Sequence, residues 1–130
     1  MSKYLSDTTV IIDLLRGDSN ARNWLEKYPV ISMVSFAEVL QGARNQGELK
    51  TIVRTFEAME QEKIDSHIAV LAIELLKRYN LSHGLLFLDA LIAATSIINK
   101  KILVTANVKD FRFIDNLKAL NHSEAFNELL

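Results

Sequence analysis

Leu85-Leu86-Phe87-Leu88-Asp89-Ala90-Leu91-Ile92-Ala93-Ala94-Thr95 runs on, past Ser96 to Lys100, into Lys101-Ile102-Leu103-Val104-Thr105. The first stretch reads as a buried helix and the second is the clearest strand of the chain, an apolar β-favouring run. Asp89 is the only Asp, Glu, Lys or Arg between Arg78 and Lys100. An unpaired carboxylate in such company is costly to desolvate, so it must reach water or find a strong partner. No Lys or Arg lies within a helical turn of it.

Outward from this pair the same alternation recurs. Lys3 to Ser6 is predicted as a short strand, followed by a helix through Val10-Ile11-Ile12 and Leu14-Leu15 that ends near Gly17. A second helix, Asn20 to Lys27, stops at Tyr28-Pro29, because the residue before Pro disfavours helical geometry. Val30 to Val34 is the second strand, and Ser35 opens a helix that closes at Gln41-Gly42. Leu49, Ile52, Val53, Phe56 and Met59 give one apolar face to a helix over Gly47–Gln61. Lys63-Ile64-Asp65 is predicted as a very short strand, Ser66 to Tyr79 as a helix, Asn107 to Asn116 as loop, and Ser123 to Leu130 as a terminal helix. Strands alternating with helices predict an α/β domain with a mostly parallel sheet flanked by helices.

The 130 residues fit one domain spanning 1–130, with no repeat or linker in sight. Hydrophobic residues make up 49% and charged residues 24%, which is the composition of a globular chain. The absence of cysteine removes disulfides and thiolate metal sites and is compatible with a reducing, cytoplasmic setting. The first residues do not read as a signal peptide, and the apolar run around Asp89 is too short to span a membrane. A formal net charge of -1 gives no broad basic surface, although acids gathered around a cation would mask basic residues elsewhere.

Two further acids share the setting of Asp89. Asp7 follows the first strand, and Glu38 lies one turn into the helix after the second. In open parallel sheets ligands gather beyond the carboxyl ends of the strands, which is also where Thr105, Asn107 and Asp110 fall. Each acid has a competing local use. Ser35-Phe36-Ala37-Glu38 matches a capping box, Asp7 before Thr8-Thr9 suits a helix N-cap, and Asp89 could gain from a helix dipole. Taken together, Asp7, Glu38 and Asp89 are expected to hold a hard divalent cation, Mg²⁺ or Mn²⁺. Asp13 reads as a surface partner of Arg16. His67, His83 and His122 read as surface or loop residues, Trp24 as core or interface, and Phe111 and Phe113 as packing for the last turn, with base stacking a lesser use. Arg16, Arg44, Lys100, Lys101, Lys109 and Arg112 are candidates to ring the site and hold phosphates.

Four segments resemble the PIN domain, and within it the VapC-type ribonuclease toxins of type II toxin–antitoxin pairs. They are Tyr4 to Gly17, Ile31 to Gly42, Leu88 to Thr95 and Leu103 to Phe111. The resemblance implies a Mg²⁺- or Mn²⁺-dependent endoribonuclease with Asp7, Glu38, Asp89 and Asp110 as catalytic acids, the first three on the metal. Thr8, Ser35, Thr105 and Asn107 would support them or touch substrate. It also implies an RNA substrate, a cognate antitoxin that inhibits by inserting a peptide near the acids, and a homodimer. The chain departs from the family at Thr9, where Asn is usual, and at Asn107, where an acid is common. Those departures define the alternative, a catalytically weakened PIN module that binds RNA or a protein without cutting. Phosphotransfer readings fit less well, since the position two residues after Asp7 is Thr9 rather than an acid.

Overall fold

The computed structural model describes residues 3–128. Five short strands form one parallel sheet: β1 (Tyr4–Ser6), β2 (Val30–Ser32), β3 (Glu60–Glu62), β4 (Ile102–Val104) and β5 (Ala119–Leu120), in the order β3-β2-β1-β4-β5. Among the described residues seven helices flank it: α1 (Thr8–Leu15), α2 (Ser19–Lys27), α3 (Met33–Gln41), α4 (Gln46–Glu57), α5 (Ser66–His83), α6 (Phe87–Ile98) and α7 (His122–Glu128), with a 3₁₀ turn at Val108–Asp110. The expected α/β architecture with a parallel sheet is what forms.

Both faces of the sheet are covered, as parallel strands require. Leu5 and Leu103 point to one face, where they join Ile68, Ala72, Leu75 and Tyr79 of α5 and the Ala90–Ala94 run of α6. Tyr4, Ile31 and Val104 point to the other, against Val10 and Ile11 of α1, Trp24 of α2 and Phe56 of α4. Trp24 is fully buried, and its Nε1 donates to Ser6 Oγ at 3.0 Å, so its one polar atom is satisfied beneath the end of β1.

Helix starts follow local chemistry. Asp18, Asn45 and Asp65 cap α2, α4 and α5 by accepting from Ala21, Glu48 and Ile68 N–H groups. Gly84, at φ 72°, ends α5 in the left-handed conformation that glycine adopts without strain.

Several boundaries differ from expectation. The helix after β2 begins at Met33, not Ser35: Ser32 is its cap and accepts from Val34 N–H, so the capping-box reading of Ser35 and Glu38 does not hold. Strand β3 lies at Glu60–Glu62 rather than Lys63–Asp65. As an edge strand it needs only backbone pairing on one side, and its charged side chains carry no strand signal. Strand β5, two residues long, was not anticipated, and α5 continues four residues past Tyr79 to His83. The last helix starts at His122; residues 129 and 130 of the predicted Ser123–Leu130 helix lie outside the described residues. His122 is buried, not a surface residue, and its Nε2 lies 3.4 Å from Asp13 Oδ2, so Asp13 contacts His122 rather than Arg16. Lys101 forms a nearly buried ion pair with Glu62 at 2.8 Å, which removes it from any phosphate-binding ring.

Candidate functional site

The chain leaves β1 toward β2 and β3 on one side and reaches β4 and β5 on the other. The order therefore reverses between β1 and β4, and the crevice beyond their carboxyl ends is where ligands of such sheets bind. Asp7 follows β1 there, and its amide donates to Val104 O at 2.7 Å, which sets its backbone against the end of β4.

Asp7 is only 2% exposed. It occupies the N-cap position of α1, yet its side chain makes no well-formed cap bond. Its Oδ2 instead accepts from Thr105 Oγ1 at 2.9 Å and from Thr9 Oγ1 at 3.0 Å. Burial raises the Asp7 pKa, opposed by these two hydroxyls and by the nearby Thr8 and Thr9 amides. Thr9 Oγ1 also accepts from Ala106 N–H at 2.9 Å, and Thr105 Oγ1 from Asn107 N–H at 3.0 Å. The strand-end loop of β4 is thus tied to the start of α1 through two threonines.

Glu38 is fixed from the same place. Thr8 Oγ1 donates to Glu38 Oε1 at 2.8 Å and also meets buried Ser35 Oγ at 2.9 Å. Burial raises the Glu38 pKa; the Thr8 hydroxyl opposes this and Asp7 adds to it. Asp89, in the first turn of α6, is pushed up to about 7, by burial first and then by the charges of Asp7, Glu38 and Asp110. Asp89 thus lies within electrostatic reach of the other three predicted acids. No salt bridge among the described residues includes any of them.

Asp110 is exposed, at the end of the 3₁₀ turn. Asn107 is also exposed and contributes its backbone N–H to the network rather than its side chain. Thr9, a departure from the motif the chain resembles, is a hydrogen-bonding junction. Two neighbouring hydroxyls at 8 and 9, one reaching each way from the strand end, were the available signal.

The donors are hard carboxylate oxygens, buried at Asp7, half-buried at Glu38 and Asp89 and exposed at Asp110, a set that suits Mg²⁺ or Mn²⁺ and not a thiophilic ion. A separate group, Asp13, Asp18 and His122, places one ligand-type atom of each within 4.8 Å of the others. It contains none of the predicted acids; Asp18 already caps α2, and the group straps α7 to α1.

Two cavities open beside the acids. A cleft of about 660 Å³ between α1, α3 and α4 is lined by Thr8 and Glu38, by the apolar Ile12, Leu15 and Ile52, and by Arg16 and Arg44. A smaller one of about 260 Å³ borders Asp89 and Asp110. Of the predicted basic ring, Arg16 and Arg44 line the first and Lys109 the second. Arg44 is already paired with Glu48 at 2.8 Å.

Residues 4–117 match the model of the PIN domain. Ribonuclease VapC19 of Mycobacterium tuberculosis is 34% identical over 122 residues, covering 88% of this chain and 96% of the relative. Ribonuclease VapC10 of the same organism is 36% identical over 120 residues, covering 88% and 90%. Among solved structures, a toxin–antitoxin complex from Klebsiella pneumoniae superposes with a TM-score of 0.75 at 29% identity, covering 92% of this chain and 97% of that one. The DNA-bound VapBC of Salmonella typhimurium, at 20% identity and a TM-score of 0.76, shares the fold.

Proposed function

The chain belongs to the PIN-domain family, and from that premise we propose that it is a metal-dependent endoribonuclease of the VapC type, the toxin half of a toxin–antitoxin pair. The observation that carries this reading is Asp89. Its carboxyl is repelled by Asp7, Glu38 and Asp110, and no cationic side chain among the described residues pairs with it. Four acids held this way are stable together when a divalent cation supplies the missing charge. Relatives matched over 90% or more of their own length are ribonucleases, which does not favour the alternative of a module that binds without cutting.

In this reading Asp7 and Asp89 would hold Mg²⁺ or Mn²⁺, Glu38 would complete the set and position the attacking water, and Asp110 would act from the open edge. The bound cation would supply Lewis acidity at the scissile phosphate and lower the pKa of the attacking water. The chain's residues do the placing. Thr9 and Thr105 both donate to Oδ2 of Asp7 and fix its carboxyl group. Thr8 keeps Glu38 turned toward Asp7 rather than toward solvent. Arg16 and Lys109, which line the two cavities beside the acids, attract the RNA backbone.

The cleft between α1, α3 and α4 suits the antitoxin: its apolar residues and its two arginines would take an amphipathic segment carrying acids, beside Glu38. Val70, Ile73 and Leu81, 64%, 46% and 99% exposed along one face of α5, suit the partner of a homodimer. A cytoplasmic location belongs to this toxin–antitoxin reading; separately, no helix among the described residues is long and apolar enough to cross a membrane. The test is cleavage of single-stranded RNA by purified protein with Mn²⁺. Wild type should cut, and Asp7→Asn and Asp89→Asn should not while keeping a cooperative thermal transition. Full cleavage by both variants would sink the mechanism.

A further inference from the structure

The smaller cavity, of about 260 Å³, is lined by His83, Leu86, Asp89, Lys109, Asp110 and Phe113. It shares a wall with the acids but lies outside the α1–α3–α4 cleft. Its volume is just under the roughly 300 Å³ at which pockets for drug-sized ligands begin, so it has room for a small planar group.

One side is an aromatic platform. The His83 and Phe113 rings are stacked, with centroids 4.2 Å apart and planes 8° from parallel. Tyr79 meets both edge-on, at 5.9 and 5.3 Å. Tyr79 is itself buried, and its hydroxyl accepts from Asp115 N–H at 3.1 Å. His83 Nδ1 lies 2.8 Å from Ser82 Oγ, so the imidazole plane is held from its other end as well. Tyr79 is part of the core and Phe113 packs against it. Phe113 is only half-buried and His83 is exposed, so the imidazole extends an aromatic surface outward instead of sealing one inward. Leu86, 68% exposed, adds an apolar wall, and Lys109 stands beside the platform as a free cation among the described residues.

A rigid aromatic face, an apolar wall and a lysine together are what proteins use to hold an unstacked base and its phosphate. We propose that this cavity binds one unpaired base of the RNA, that of a nucleotide flanking the scissile phosphate, stacked on the His83–Phe113 pair with Lys109 on the adjoining phosphate. This rests on the endoribonuclease reading above. It makes His83 and Phe113 determinants of where the RNA is cut.

Two measurements test it. The first uses Asp7→Asn protein, which is cleavage-inactive in this reading and leaves the cavity lining untouched. Adding a short single-stranded RNA should move the His83 ring-proton resonances upfield, the signature of a base stacked on the ring. The second compares wild type, His83→Ala and Phe113→Leu on an oligonucleotide series made abasic at one flanking position at a time. Each variant should lose roughly 5- to 150-fold in kcat/KM on intact RNA, the range stacking supplies. Neither should lose further on the RNA abasic at the position that occupies the cavity. His83 is exposed, so its variant will fold even if Phe113→Leu does not. Wild-type kcat/KM for His83→Ala on every RNA, or an unmoved His83 resonance, would overturn the subsite alone. If wild type cuts no RNA, the endoribonuclease reading fails and this inference falls with it.

Discussion

The hydroxyls of Thr9 and Thr105 lie 3.2 Å apart, and each also reaches the same oxygen of Asp7. Each hydroxyl has one proton, and with Asp7 ionised the carboxylate is the stronger acceptor for both. The two side chains therefore work as a clamp. They saturate Oδ2, hold the carboxyl plane, and anchor the loop after β4 through the amides of Ala106 and Asn107.

Removing either hydroxyl without changing shape should loosen that clamp. Thr9→Val and Thr105→Val are expected to lower kcat roughly 10- to 100-fold, the scale on which a misplaced catalytic group costs rate. Thr9→Ser should retain most activity because it keeps the proton donor. Steady-state cleavage at saturating Mn²⁺ measures this. If Thr9→Val matches wild type, Thr9 has no positioning role.

Asp89 makes the metal-free protein sensitive to pH. Its folded pKa of about 7 stands above the ordinary value of 3.8, so the folded state holds this proton more tightly than the unfolded chain. The resulting stabilisation is complete below pH about 4 and is lost as pH rises toward and through about 7. Asp7 and Glu38 are shifted in the same direction. With chelator present, Tm should fall by several degrees between pH 5 and 8, and Asp89→Asn should flatten that slope. Mn²⁺ should raise Tm more at pH 8 than at pH 5. A slope unchanged in the variant would mean that Asp89 is not the group responsible.

Catalysis should show the same competition from the other side. Proton and cation need the same carboxylate oxygens, so metal affinity rises as the acids ionise. At limiting Mn²⁺, cleavage should increase as pH passes through about 7, the value toward which Asp89 is pushed. Tenfold more Mn²⁺ should move the midpoint to lower pH. A midpoint that ignores metal concentration would exclude Asp89 as a ligand.

Trp24 supports the site from below without facing it. Trp24→Phe removes the donor to Ser6 Oγ, directly before Asp7, and leaves that oxygen buried. A loss of about 1–3 kcal/mol in denaturant unfolding is expected, with metal dependence unchanged at temperatures where the variant is folded. A loss below about 0.5 kcal/mol would mean that the bond contributes little.

Much of this molecule is legible along the chain. The alternation of short apolar runs with helical periodicity determines the parallel α/β class, because strands covered on both faces must be apolar throughout. Asp89, Asp7 and Glu38 stand out because a carboxylate in apolar company is expensive wherever it lies. Hydroxyls carry no such signal. Thr9 looks like a departure from a motif until the end of β4 lies beside it and supplies the Ala106 amide and the Thr105 hydroxyl, 97 and 96 residues away in sequence. The misplacement of β3 has a related cause, since an edge strand is made by a neighbour's backbone and not by its own side chains. His83 and Phe113, read singly as a loop residue and as packing, become one aromatic face only when the end of α5 meets the turn after β4. The chain by itself determined where charge is costly and which segments are buried. Tertiary structure alone decided which neutral partners meet those charges, because hydrogen bonds and ring contacts depend on ångström distances between segments far apart in sequence.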